Sequence, residues 1–90
     1  MSDPANTVRL AAGARLQTDR VTGQRVLLYP EGVLLLNRTA AAILELCDGR
    51  RPLDGVVATL AARFRATPAA VTADVNEFLG RLRERGLVRP

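Results

Sequence analysis

The sequence lacks histidine, lysine and tryptophan, and it contains a single cysteine, Cys47. Without histidine, the common imidazole-containing zinc sites and the Ser-His and Cys-His nucleophilic mechanisms are excluded. A single cysteine cannot form an intramolecular disulfide, so a reducing compartment is expected. Cys47 falls on the apolar stripe of a predicted helix, where a free cysteine usually packs as an inert side chain. These absences argue against an enzyme and predict no catalytic residue, metal or cofactor.

The sequence also lacks a long apolar run and a glycine-rich phosphate loop after a strand. A membrane-spanning helix requires about 20 consecutive apolar residues, so none is expected. Residues 1–7 are polar and lack the apolar region of a secretory signal. We therefore expect a cytoplasmic protein with no membrane partner.

Because lysine is absent, all 13 basic residues are arginine, against 9 acidic residues and a formal net charge of +4. Such an arginine bias is typical of a codon preference and does not by itself indicate nucleic-acid binding. The net charge favours attraction to an acidic partner without defining a site.

The 90 residues, 48% hydrophobic and 24% charged, are typical of one small globular domain. We interpret residues 1–13 as a flexible N-terminal arm, because Pro4 and Gly13 flank only scattered apolar residues. Residues 14–90 are then a single domain.

Three short strands are predicted over residues 15–19, 24–29 and 32–36. Pro30 and Glu31 reverse the chain before the third strand, and Gly32 is expected to supply a positive φ. Consecutive strands joined by short turns form an antiparallel meander.

Three helices are predicted to follow the meander, which gives an α+β fold. Asn37 is the expected N-cap of the first helix, and Gly49 is its expected left-handed C′ residue. The second helix is predicted to begin near Pro52. The third has the clearest signals, with Thr67 as N-cap and Pro68 as its first residue.

The end of the third helix is predicted at Gly86, with Leu87 folding back onto Leu82 in a Schellman motif.

The meander is predicted to be apolar on both faces, because side chains alternate with a period of two along a strand. One face would carry Val26, Leu28, Val33 and Leu35, and the other Leu27, Leu34 and Leu36. Since only one face can pack on the helices, the other is expected to be an interaction surface, and a homodimer is predicted. A self-associating structural domain is therefore one alternative.

A winged-helix DNA-binding regulator is a second alternative, since three helices and a small sheet fit that fold. However, residues 67–77 of the predicted recognition helix contain no arginine and include Asp74 and Glu77. Carboxylates at this position would face the phosphates, so base readout is not expected.

Three blocks of sequence resemble the PqqD family of pyrroloquinoline quinone (PQQ) biosynthesis. They are Pro-Glu-Gly-Val-Leu-Leu-Leu-Asn at residues 30–37, Ile-Leu-Glu-Leu-Cys-Asp-Gly at residues 43–49, and Asp74-Val75 with Phe78-Leu79. The similarity extends from about Leu16 to Val88. Pro52 departs from the family, which commonly has a Ser or Thr cap there.

The resemblance implies a winged-helix-like domain that serves as a recognition element for ribosomally synthesised and post-translationally modified peptides (RiPPs). Such a domain binds the precursor peptide PqqA as a chaperone-like adaptor. It presents the peptide to PqqE, a radical S-adenosylmethionine enzyme that joins a Glu and a Tyr of PqqA.

The resemblance also implies where the peptide binds: between the third strand and the third helix. The expected site residues are Val33, Leu34, Leu35, Leu36, Asp74, Val75, Phe78, Leu79 and Leu82. Phe78 and Leu79 are about 100° apart around a helix, so only one can face the groove. We predict Phe78 in the core and Leu79 at the strand edge.

Overall fold

The computed structural model describes residues 7–89, and within them the chain forms an α+β fold. Three helices pack with two three-stranded antiparallel sheets. In chain order the elements are β1 (Thr7–Leu10), β2 (Arg15–Thr18), β3 (Arg25–Tyr29), β4 (Gly32–Leu35), α1 (Arg38–Leu46), β5 (Asp48–Pro52), α2 (Leu53–Phe64), α3 (Pro68–Glu84) and β6 (Val88–Arg89).

The predicted meander is confirmed as the sheet β2-β3-β4, with β4 at one edge. Tyr29 pairs with Gly32 across a two-residue turn of Pro30 and Glu31. The expectation of a positive φ at Gly32 is wrong. Pro30 fixes φ at the first central position of the turn and Glu31 occupies the second, so Gly32 lies after the turn and is the first residue of β4.

The second sheet, β5-β1-β6, was not predicted, and it changes the interpretation of both chain ends. Residues 7–10 of the predicted flexible arm form β1, because Val8 is 2% exposed and packs into the core. The first six residues of that arm lie outside the described residues. A short strand, β5, also separates the first two helices, which were expected to follow one another directly.

The helix caps follow the sequence signals at most positions. The Asn37 side chain accepts a hydrogen bond from the Ala40 N–H at 2.8 Å, and Thr67 caps α3 in the same way. Gly49 does have a positive φ of 79°, but it lies within β5, since α1 already ends at Leu46. It is therefore not the C′ residue of the first helix.

The Schellman motif at the end of α3 is confirmed. The Leu87 N–H donates to the Leu82 carbonyl at 2.9 Å, and the Gly86 N–H donates to the Arg83 carbonyl at 3.0 Å. Gly86 has a φ of 71°, which favours glycine because it lacks a Cβ. This turn directs the chain into β6.

The core lies between the inner face of the meander, the second sheet and the three helices. Its largest fully buried side chains are Leu27, Ile43, Leu44, Leu60, Leu79, Leu82, Val8, Val56 and Val75. Cys47 is buried as predicted, and burial together with the Asp48 charge raises the pKa of its thiol to about 11. Among the described residues, no helix is both long and apolar enough to cross a membrane.

The two faces of the meander divide as predicted. Leu27 is paired with Leu34, and both pack with the core. Val33 and Leu35 on the opposite face are 55% and 69% exposed. We call the side of the meander that carries Val26, Leu28, Val33 and Leu35 its outer face, although Val26 on that side is only 7% exposed.

Candidate functional site

A groove of about 420 Å³ separates strand β4 from the C-terminal half of helix α3. We call it the β4–α3 groove. It lies where a peptide site was expected, and its lining is largely apolar with charged groups from α3. The lining residues are Leu34, Leu35, Leu36, Asn37, Ala40, Phe78, Arg81, Leu82, Glu84 and Arg85.

The strand wall of the groove is an open sheet edge. Within residues 7–89, β4 pairs only with β3, and the Leu36 N–H donates to the Arg25 carbonyl on the β3 side at 3.0 Å. Because backbone groups alternate in direction along an antiparallel strand, the N–H and C=O groups of Val33 and Leu35 point away from β3. These main-chain groups can pair with another extended chain.

The helix wall is formed by residues spaced three or four apart on α3. Phe78, Arg81, Leu82 and Arg85 share one side of the helix, as this spacing requires. Phe78 is half-buried, whereas Leu82 is 2% exposed and lies deeper. Neither arginine was among the site residues expected from the sequence, since basic residues near the end of a helix also complement its dipole.

One end of the groove is fixed by Arg85 and Tyr29. The Arg85 guanidinium donates to the Tyr29 hydroxyl at 3.1 Å, and its Cζ lies 5.7 Å from the ring centroid. These contacts connect the end of α3 to the meander and fix the helix wall of the groove relative to its strand wall.

The predicted site residues divide between several environments. Leu34, Leu35, Leu36, Phe78 and Leu82 line the groove.

Val33, the residue before Leu34 on β4, has its side chain on the outer face and does not line the groove, although its main-chain groups face the open edge of the strand. Asp74 lies in an adjoining cleft of about 260 Å³ between α1 and α3, which shares Phe78 and Arg81 with the groove. Val75 is 1% exposed and packs in the core.

The predicted orientation of Phe78 and Leu79 is wrong, because the two are reversed. Leu79 is completely buried in the core, while Phe78 is half-buried at the groove. The buried stripe of α3 is Val71, Val75, Leu79 and Leu82, which holds the spacing of three and four residues. Phe78 lies about 100° away from Leu79 and therefore at the side of this stripe.

A cleft of similar size, about 450 Å³, lies between the Thr22–Arg25 turn, α1 and the end of α2. Several of its polar groups already have partners within the domain, whereas the buried Nε of Arg25 has no hydrogen bond among the described residues. Arg25 donates to Glu45 and to Thr18, both at 3.0 Å, and the Gln24 amide donates to the Leu36 carbonyl at 2.6 Å. The β4–α3 groove, whose strand edge is unpaired, is the better candidate site.

Comparison with known proteins finds relatives in both sequence and structure. Residues 24–88 match the family described as "Coenzyme PQQ synthesis protein D (PqqD)". The chain is 49% identical over 72 residues to a PqqA binding protein of Klebsiella pneumoniae (strain 342), covering 80% of this chain and 77% of the relative. It is 38% identical over 86 residues to a PqqA binding protein of Methylococcus capsulatus, covering 96% and 90%.

Two solved structures are similar over nearly the whole fold. One is the solution NMR structure of the PqqD portion of Methylobacterium extorquens PqqCD, described as a functional and stand-alone RiPP recognition element. It has a TM-score of 0.81 and 31% identity, covering 100% of this chain and 96% of that one. The other is crystalline PqqD from Xanthomonas campestris, with a TM-score of 0.62, 40% identity and 90% coverage of each chain. Sequence and fold together show that this chain belongs to the PqqD family.

Proposed function

We propose that this protein is a peptide-binding adaptor of PQQ biosynthesis that holds the precursor peptide PqqA in the β4–α3 groove. The observation that carries the proposal is the unpaired edge of β4 beside a largely apolar groove. The relatives named PqqA binding proteins support the same ligand.

In this mechanism PqqA binds as an added strand along β4. Its main chain exchanges hydrogen bonds with Val33 and Leu35, and its alternate side chains point into the groove toward Phe78 and Leu82. The main-chain bonds provide affinity with little sequence preference. Contacts with the groove provide the preference for particular side chains.

The adaptor then presents PqqA to PqqE, where the Glu–Tyr bond is made. This role requires the domain to bind and orient a chain, with the chemistry supplied by its partner. It places the protein in the cytoplasm, where precursor peptide and enzyme meet.

A substitution at Val33 tests the main-chain contact directly. Val33→Pro removes the N–H that faces the open edge, and proline is tolerated on edge strands, so we expect PqqA binding to weaken several-fold while the domain stays folded. Val33→Ala keeps the N–H and is the matched control, which should bind like the wild type. Isothermal calorimetry with synthetic PqqA measures binding, and circular dichroism checks the fold.

Hydrogen exchange provides a second measurement. The amides of Val33 and Leu35 should exchange quickly in the free protein and slow down when PqqA is added. If both variants bind equally well and neither amide becomes protected, the peptide does not pair with β4.

A further proposal concerns the outer face of the meander. We infer that a second copy of the chain docks there, because two of its four apolar side chains are more than half exposed.

A further inference from the structure

The small sheet β5-β1-β6 carries most of the net charge of the protein. Its three strands contain Arg9, Arg50, Arg51 and Arg89, all exposed, and one acidic residue, Asp48. Four positive charges less one negative charge give +3, compared with a formal net charge of +4 for the whole chain. We call the surface made by Arg9, Arg50 and Arg89 the arginine face; Arg51 follows Arg50 on β5, so its side chain starts from the other side of that strand.

Two of the arginines lie directly opposite each other. Arg9 on β1 is the partner of Arg89 on β6, so both side chains project from the same side of the sheet. Val8 points the other way, into the core. Like charges directly across a sheet are destabilising, and within residues 7–89 neither guanidinium has an ion pair or a hydrogen bond. Within residues 7–89, no ion pair to either guanidinium offsets this cost in stability.

Asp48 does not neutralise the arginine face, although it is opposite Arg9 on the other neighbouring strand. Its Oδ1 accepts hydrogen bonds from the main-chain N–H groups of Arg50 and Arg51, both at 2.9 Å. These bonds and the nearby Arg51 charge lower the pKa of Asp48. The carboxylate thus shapes the start of β5 and forms no ion pair with Arg9.

We propose that the arginine face docks a carboxylate-rich segment of a partner protein, on a surface that shares no residue with the β4–α3 groove. Guanidinium groups bind carboxylates through paired, charge-assisted hydrogen bonds. The four residues of β1 extend over about 13 Å, and three strands span about 10 Å, which fits a short acidic segment of about four residues. The inference goes beyond the proposed peptide-binding function and does not depend on it.

A nucleic acid fits this surface less well. The strands that form it contain no aromatic side chain on which a base could stack.

Reversing the charge at Arg89 should affect the binding of an acidic peptide without lowering the stability of the domain. Arg89→Glu places a carboxylate opposite Arg9 on an edge strand, so the melting temperature should hold or rise. Binding to a hexaglutamate peptide at low salt should weaken several-fold. Arg15→Glu is the matched control, since Arg15 is also an exposed arginine on a short edge strand and the change in charge is identical.

Titration of hexaglutamate into the ¹⁵N-labelled protein, followed by NMR, locates the contact. We expect chemical-shift changes on β1, β5 and β6. These changes should be lost in Arg89→Glu and retained in Arg15→Glu. PqqA binding should be unchanged in both variants. Arg50→Gln, which keeps its main-chain bond to Asp48, should also weaken binding, and it tests the proposal if Arg89→Glu disturbs the β1–β6 pairing.

Three results would overturn the proposal. Arg15→Glu could weaken binding as much as Arg89→Glu, which would mean a diffuse charge effect. The shifts could fall outside the small sheet. Hexathymidylate could bind the arginine face more tightly than hexaglutamate, which would assign the surface to nucleic acid.

Discussion

Phe78 and Leu79 are neighbours in α3, yet their side chains meet different surroundings. Leu79 is fully enclosed by the core, and Phe78 borders both the β4–α3 groove and the adjoining cleft that contains Asp74. A fully buried residue such as Leu79 contributes to stability, whereas a half-buried residue such as Phe78 can contact a ligand.

Alanine substitutions should therefore separate these two roles. Leu79→Ala removes buried methyl groups and leaves a cavity, which should reduce the free energy of unfolding by about 2–5 kcal/mol. Phe78→Ala should cost clearly less, because part of the ring is already exposed, but it should weaken PqqA binding. Thermal unfolding and peptide titration on both variants check this. Strong destabilisation by Phe78→Ala with intact binding would place the ring in the core after all.

At the level of elements, β1 is the strand that joins the ends of the chain to its middle. It pairs with β5 on one side and with β6 on the other, and Val8 anchors it in the core. Without β1, neither β5 nor the two-residue β6 has a partner in this sheet.

Val8→Ala tests whether β1 is part of the folded domain. Loss of two buried carbons and the resulting cavity should cost about 2 kcal/mol. For a domain of this size that corresponds to a melting temperature lower by roughly 8–16 °C. Val21→Ala is the matched control, because Val21 is 93% exposed in a turn, and it should unfold like the wild type. Equal melting temperatures would show that the first strand is dispensable.

The elements that the sequence predicted well are those specified by local chemistry. Asn37 and Thr67 cap helices through residues three positions away, and the meander is set by short turns. The small sheet could not be predicted in this way, because Arg9 and Arg89 pair across nearly the whole chain. β5, with the sequence Asp-Gly-Arg-Arg-Pro, also has the composition of a turn.

For the candidate site, as for the fold, the sequence predicted some features and missed others. An apolar strand beside an apolar helix indicated a groove that the structure does contain, but the orientation of Phe78 depends on how α3 is rotated against the rest of the core. That rotation is decided by packing with α2 and the small sheet, which helical periodicity alone does not specify.

For the molecule as a whole, we propose three surfaces for partners within residues 7–89: the β4–α3 groove, the outer face of the meander and the arginine face. The groove and the outer face adjoin at β4, where Leu35 is 69% exposed and also lines the groove. The proposed dimer and the proposed peptide complex would therefore involve the same strand.

Sedimentation should detect the dimer as a concentration-dependent increase in mass in the absence of other proteins. Val33→Glu places a charge on the outer face and should shift the equilibrium to the monomer, while Val21→Glu, at an exposed valine away from the sheet, should not. A wild-type protein that stays monomeric at millimolar concentration would contradict the proposed dimer.

The shortness of β4 has a consequence for the lifetime of a bound peptide. Only two of its four residues, Val33 and Leu35, direct their main-chain groups outward, so an added strand gains at most about four hydrogen bonds. Each of these contributes only about 0.5–1.5 kcal/mol net in water. Ordering a flexible peptide offsets part of this gain. Such a complex dissociates readily, which suits an adaptor that must release each peptide before it can accept the next.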